Sequence, residues 1–211
     1  MTDAHGLFIS LEGIDGSGKS TQSRLLAEQM RAWGRDPVLT REPGGATGAE
    51  DIRRLLVEGD PARWSPETEI LLFTAARRDH LERTIRPALA SGRDVVTDRF
   101  ADSTRVYQGA TRGDLRALVD TIHDAAIGVE PDLTLILDMD PAVALERGLA
   151  RSSGEDRFEE FGLDFQKRLR AGFLALAQEE AGRCVVIDAT PPPERVAEAI
   201  WAAAAPRLGL A

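Results

Sequence analysis

A chain of 211 residues with 43% apolar content is long enough for one substantial core, and a single domain spanning residues 1–211 is expected. Its formal charge of −9 and isoelectric point near 4.9 exclude a passive binder of nucleic-acid polymers, which needs a basic face to release counterions. No apolar run has the length of a membrane span, the opening MTDAHGLFIS lacks a signal-peptide pattern, and the lone Cys184 sits in an apolar run; a cytoplasmic protein with no membrane contact, disulfide or thiolate metal site is expected.

Apolar runs of strand length recur at Leu7–Leu11, Val38–Leu39, Val95–Thr97, Leu133–Leu137 and Cys184–Ile187. Between them lie stretches with helical spacing. The first follows Lys19 and carries an apolar stripe of Leu25, Leu26, Met30 and Trp33, with Gly34 placed to stop it. Residues 67–90 predict a long helix that Pro87 should bend or end. Further helices are expected over about 114–126, 141–151, 163–180 and 193–204. Strands this uniformly apolar want helices on both faces. The expected fold is therefore a three-layer α/β/α sandwich around a five-stranded parallel sheet, with chemistry at the carboxyl ends of the strands.

After the first run comes Gly13-Ile14-Asp15-Gly16-Ser17-Gly18-Lys19-Ser20, which matches G-x-x-x-x-G-K-[ST] between a strand and a helix. Glycines let successive backbone N–H groups face inward as an anion nest, and the helix N-terminus adds partial positive charge. Nucleotide phosphates are expected on Gly13 through Ser20, that is on Gly13, Ile14, Asp15, Gly16, Ser17, Gly18, Lys19 and Ser20, and on Thr21. Lys19 is one of two lysines beside 24 arginines, and a slender ammonium fits inside the nest where a planar Arg fork would not. Ser20 is positioned to ligate Mg²⁺ through its hydroxyl.

A phosphate loop alone leaves ATPases, GTPases and small-molecule kinases open. The chain has no asparagine, which removes the Asn-Lys-x-Asp guanine reader of a GTPase. The second run is followed by TREPGG, the third by TDRFADSTRVYQG, and the long helix contains LLFTAARRDH. In-line transfer between two polyanions needs cations around both, and these arginine-rich strand ends supply them. Phe73 and Arg77 lie four apart on one helix face, so a ring and a guanidinium can meet one planar ligand together. Asp98 and Asp138 both end apolar runs and compete as the cation-holding carboxylate.

Together these motifs resemble thymidylate kinase, from FISLEGIDGSGKST to VVIDATPPPERV, nearly the whole chain. The resemblance implies a nucleoside monophosphate kinase fold, transfer of the γ-phosphoryl of ATP to dTMP with Mg²⁺, and a homodimer. It implies that Arg99 and Arg41 contact the dTMP phosphate and that Asp98, beside it, holds Mg²⁺ with Ser20. Phe73 would stack on thymine, Arg77 would donate to its carbonyl oxygen, and Thr104 and Gln108 would line the same pocket. Tyr107 would pack against the sugar and disfavour a ribose hydroxyl, Asp15 would accept from the 3′-hydroxyl, and Pro43 would leave room for the 5-methyl group. The family has two patterns, with a catalytic arginine either in the phosphate loop or in a lid. Position 16 is Gly, which points to the lid at about 151–162, with Arg151 and Arg157 flanking it and Arg147 a weaker third candidate. The donor base is expected near Asp188-Ala189-Thr190. A deoxynucleoside kinase, another nucleoside monophosphate kinase, or a regulator that holds ATP without turnover are the competing readings.

Overall fold

The computed structural model describes residues 6–60, 63–110, 113–149 and 162–210. Five parallel strands, β1 (Phe8–Glu12), β2 (Val38–Arg41), β3 (Val95–Asp98), β4 (Leu133–Asp138) and β5 (Cys184–Asp188), form one sheet in the order β2-β3-β1-β4-β5. The chain therefore leaves β1 in one direction to build β2 and β3, and returns across it to build β4 and β5. That reversal opens a crevice at the carboxyl ends of β1 and β3, where an α/β sheet holds its ligands. Register places Leu11 beside Asp98 and Asp98 beside Arg41, so three strand ends meet at this crevice.

Helix α1 (Lys19–Ala32) starts at the phosphate loop and buries Leu26, Ala27 and Met30. Trp33 departs from the expected stripe: the helix ends at Ala32, and Trp33 turns outward, 54% exposed, to face Trp201 at 5.9 Å between ring centroids. An unanticipated helix, α2 (Thr47–Val57), follows β2 and packs on α3 (Pro66–His80). Ser65 caps α3 by accepting from the Thr68 amide at 3.2 Å, and Pro66 fills its first turn.

The long helix expected to yield at Pro87 continues instead. A π-helical turn, Leu81–Ile85, leads into α4 (Arg86–Ala90), and Pro87 stands in the first turn after that widening, where its missing N–H is not needed. A second unanticipated helical stretch follows β3 as α5 (Ala101–Thr104) and a π-helical turn, Arg105–Ala110. It is fastened to the sheet by buried charges. Arg183 donates to both oxygens of Asp102, at 2.6 and 2.9 Å, and Arg105 donates to Asp102 at 2.8 Å and to Glu130 at 2.5 Å. The remaining helices are α6 (Arg116–Ala126), α7 (Pro141–Leu149), α8 (Gly162–Glu179) and α9 (Pro193–Ala204). The larger apolar core lies around β1, β4 and β5 under α1, α8 and α9, and a smaller one surrounds Phe8 and Phe100. Cys184 belongs to the larger core, and burial pushes its thiol up to about 12. No helix among the described residues is long and apolar enough to cross a membrane.

Candidate active site

The phosphate loop joins β1 to α1. Lys19 is buried, and its Nζ donates to the Ile14 carbonyl at 2.8 Å, which holds the ammonium inside the loop. Burial and the neighbouring Arg99 pull its pKa down to about 8, against the pull of Asp15, Asp98 and Glu12. An incoming polyphosphate would satisfy that under-compensated charge. Gly16 is required by close approach: a Cβ there would stand 1.8 Å from the Ala144 carbonyl of α7, so no arginine fits at this position without moving the α7 backbone.

Ser20 Oγ donates to Asp98 Oδ2, and Asp98 Oδ1 is buried with no hydrogen-bond partner among the described residues. An unpaired carboxylate oxygen beside a hydroxyl, on the phosphate side of the crevice, fits a hard divalent cation that keeps the rest of its shell as water and phosphate oxygen. The competing carboxylate, Asp138, is engaged elsewhere, receiving Arg170 at 2.6 and 2.8 Å.

Arg99 occupies the left-handed region at φ 72°, rare for a side-chain-bearing residue. Its backbone is over-determined: its amide donates to Leu11 O at 3.0 Å, and its carbonyl accepts from Thr97 Oγ1 at 2.9 Å. Glu12 Oε1 accepts from the next amide, Phe100, at 2.7 Å. That turn aims the guanidinium across the crevice to Gly13 O at 3.1 Å, Ser103 Oγ at 3.0 Å and Asp15. Tyr107 closes the cluster by donating to Asp15 Oδ2 at 2.7 Å, under the Arg99 guanidinium. Burial alone would raise the Asp15 pKa, but Arg99 and Lys19 outweigh it and hold the carboxyl below its ordinary value.

A half-open cavity of about 140 Å³ lies behind this cluster, lined by Asp15, Pro43, Phe73, Arg77, Arg99, Thr104, Tyr107 and Gln108. These residues come from the phosphate loop, the loop after β2, α3 and the α5 region, and the structure brings them together. Arg77 is buried and donates to Glu42 at 2.7 Å, Thr104 at 3.0 Å and Phe100 O at 3.2 Å. Gln108 donates to the buried Glu69 at 3.0 Å, which fixes its amide.

Arg41 stands apart. It is exposed, paired with Glu50 at 3.1 Å, and lines a wider open cleft of about 860 Å³ with Ser20, Asp98 and Arg53. Arg53, on the helix the sequence did not reveal, lines both spaces and donates to Pro43 O at 2.5 Å. Sequence reasoning also passed over Glu12, Glu42, Ser103 and His80, which hold the pocket's cations and turns. The E of LEG and of REPGG were visible, but their partners lie 88 and 35 residues away.

On the other side of the phosphate loop, a shallow cleft is lined by Gly16, Ser17, Gly18, Thr21, Arg147 and Ala189. Arg147 and the stretch after β5 thus stand beside the loop. Arg151, Arg157 and nearly all of the expected lid lie outside the described residues.

A family profile described as Thymidylate kinase matches residues 11–200. The chain belongs to the thymidylate kinase family. It is 74% identical to the thymidylate kinase of Jannaschia sp. (strain CCS1), over 96% of this chain and 97% of that one. It is 76% identical to the thymidylate kinase of Dinoroseobacter shibae, over 91% and 93% of the two chains. A crystal structure of thymidylate kinase from Ehrlichia chaffeensis superposes with a TM-score of 0.76 at 37% identity, covering 94% of this chain and 98% of that one. The five-stranded parallel sheet is thus that of a P-loop nucleoside monophosphate kinase, as thymidylate kinases have.

Proposed function

We propose that the chain performs its family's reaction, ATP + dTMP giving ADP + dTDP, with the acceptor in the cavity behind Asp15 and the donor phosphates on the loop of residues 13–21. The observation that carries this reading is the Asp15–Arg99–Tyr107 cluster: a carboxylate of the donor loop is hydrogen-bonded to the groups that line the acceptor cavity. Donor and acceptor sites therefore share a wall.

In this reading Arg99 meets the dTMP phosphate, Phe73 and Arg77 meet the base, and Tyr107 with Asp15 meets the sugar. Lys19 and the backbone amides of the loop hold the transferring phosphates, and rate comes from alignment and charge neutralisation rather than from a covalent step. Ser20 and Asp98 would hold Mg²⁺, which when bound neutralises phosphate charge. With an arginine sterically excluded at Gly16, the cation over the transferring group is assigned to Arg151 or Arg157, with Arg147 beside the donor cleft. Arg41, paired with Glu50 across the open cleft, is a second phosphate contact only if that pair exchanges for substrate.

Exposed Leu55, Leu71 and Leu118 on the adjoining helices α2, α3 and α6 support a homodimer, which sedimentation would report as twice the chain mass. The proposed location is the cytoplasm. Coupled ADP-release assays across nucleoside monophosphates test the function. Preference for dTMP is expected; preference for UMP, CMP or AMP, or turnover of thymidine in place of dTMP, would contradict it.

A further inference from the structure

A continuous chain of hydrogen bonds runs from the open cleft to the acceptor cavity. Thr40 Oγ1 on β2 lies 2.8 Å from His80 Nε2, and His80 Nδ1 lies 2.9 Å from Glu42 Oε1. The other oxygen of Glu42 accepts from Arg77 Nε at 2.7 Å. His80 is fully buried, and the Glu42 and Arg77 side chains are each 3% exposed, so solvent does not compete with the His80–Glu42 and Glu42–Arg77 contacts.

The roles are complementary. In the tautomer with its proton on Nδ1, the ring donates to the carboxylate and Nε2 accepts from the Thr40 hydroxyl, so both ring nitrogens have partners. Gly45 packs directly on the pair, since a Cβ there would stand 2.4 Å from both His80 Nε2 and Thr40 Oγ1. Thr84 fixes that glycine by donating to its carbonyl at 2.8 Å.

At the far end, the guanidinium has five N–H groups in a rigid fork. Nε–H goes to Glu42, and Nη2 serves Thr104 Oγ1 and Phe100 O. Nη1 has no hydrogen-bond partner among the described residues, and Arg77 lines the cavity. The two hydrogens on Nη1 are therefore the ones offered to a ligand, and their direction is set by the carboxylate that grips Nε.

We propose that His80 and Thr40 are positioning residues for base recognition: they lock the Glu42 carboxylate, which aims the Nη1 edge of Arg77 at the acceptor base. The inference rests on Arg77 being the base contact. An edge that only donates accepts a base with a carbonyl oxygen at that position, as thymine has, and rejects one with an amino group there, as cytosine has. A carboxylate released from His80 can turn about its side-chain torsions, and the Arg77 edge loses that discrimination with it.

The test compares dTMP and dCMP as acceptors at saturating ATP for the wild type, Arg77→Ala, His80→Phe, His80→Asn and Thr40→Val. His80→Phe is expected to raise the dTMP KM about tenfold and to lower the dTMP-over-dCMP ratio of kcat/KM by a similar factor, while kcat for dTMP and the ATP KM stay within about twofold. His80→Asn, whose side-chain nitrogen sits where Nδ1 does, should keep the ratio within about threefold. Thr40→Val should shift it about threefold in the direction of His80→Phe.

An unchanged ratio in His80→Phe overturns the proposal, as does an equal fall in the Asn and Phe variants, which would mean bulk packing alone. Should His80→Phe not fold, Thr40→Val decides: a ratio equal to wild type overturns the proposal. A wild type or Arg77→Ala control showing no dependence of base preference on Arg77 instead overturns the base-contact reading itself.

Discussion

The two halves of the crevice are built differently. On the acceptor side Arg77 and Tyr107 are buried and Asp15 and Arg99 half-buried, and each is hydrogen-bonded to protein before any ligand arrives. On the donor side, the loop offers backbone amides and one lysine turned back onto the Ile14 carbonyl of the same loop, beside a shallow cleft. Under the proposed assignment, recognition of the acceptor is preorganised by side chains far apart in sequence, while the donor is held by main chain and completed by the nucleotide. The division suits the chemistry, because a base and sugar must be told from close relatives whereas a triphosphate needs charge.

Lys19→Met tests the division most severely. It removes the donor-side cation while leaving the hydrogen bonds of the acceptor wall in place, so kcat should fall by about 10³ while dTMP binding measured by calorimetry stays within a few-fold. Comparable loss of both would mean that the halves are not separable. Arg99→Ala strikes the acceptor side and should raise the dTMP KM and lower kcat, for a combined loss of about 10² in kcat/KM. An ATP KM that rises as much as that of dTMP would place Arg99 in the donor site instead.

Glu12 sits at the hinge between the halves. Burial and the neighbouring Asp102 raise its pKa from 4.5 to about 7, despite the hydroxyl of Ser103 and the charge of Arg99. A folded-state pKa raised above the unfolded one means that the native state holds the extra proton between about 4.5 and 7. Its favourable contribution is complete below that window and is lost as pH rises through it. Relative to Glu12→Gln, the wild type should thus become less stable by about 2 kcal/mol between pH 5 and pH 8, read from urea unfolding at both values. A difference that does not change with pH would remove the buried-carboxyl explanation. The smallest effect is expected in Arg151→Ala and Arg157→Ala, which should lower kcat about tenfold with a modest change in dTMP KM. An unchanged kcat in both variants would exclude the lid role.

The sheet was legible because each strand is a short, almost purely apolar run, and the phosphate loop was legible because its chemistry tolerates few residues at fixed spacing. Residues carried by local motifs, such as Phe73 with Arg77 or Asp98 with Arg99, could be paired on paper. Helix α2 was passed over although Ile52, Leu55 and Leu56 stand at helical spacing in TGAEDIRRLLV: the segment is short, follows a glycine-rich turn, and buries only Ala49 and Leu56. Trp33 misled in the opposite sense, since a large apolar side chain at helical spacing leaves the stripe once the helix stops one residue earlier. The buried charges Glu12, Glu42 and Asp102 were invisible because a carboxylate is written the same way whether solvated or paired, and their partners become neighbours only through the sheet order. The Arg41 side chain pairs with Glu50 of α2, a partner outside the motif and therefore not readable from it.

Calorimetric titration of dTMP into the nucleotide-free enzyme tests the central claim most directly. A preassembled acceptor pocket predicts saturable 1:1 binding per chain, with a Kd close to the dTMP KM and within about threefold of that measured with a non-hydrolysable ATP analogue present. Binding seen only when the analogue is present would contradict the account, because the pocket would then be assembled by the donor.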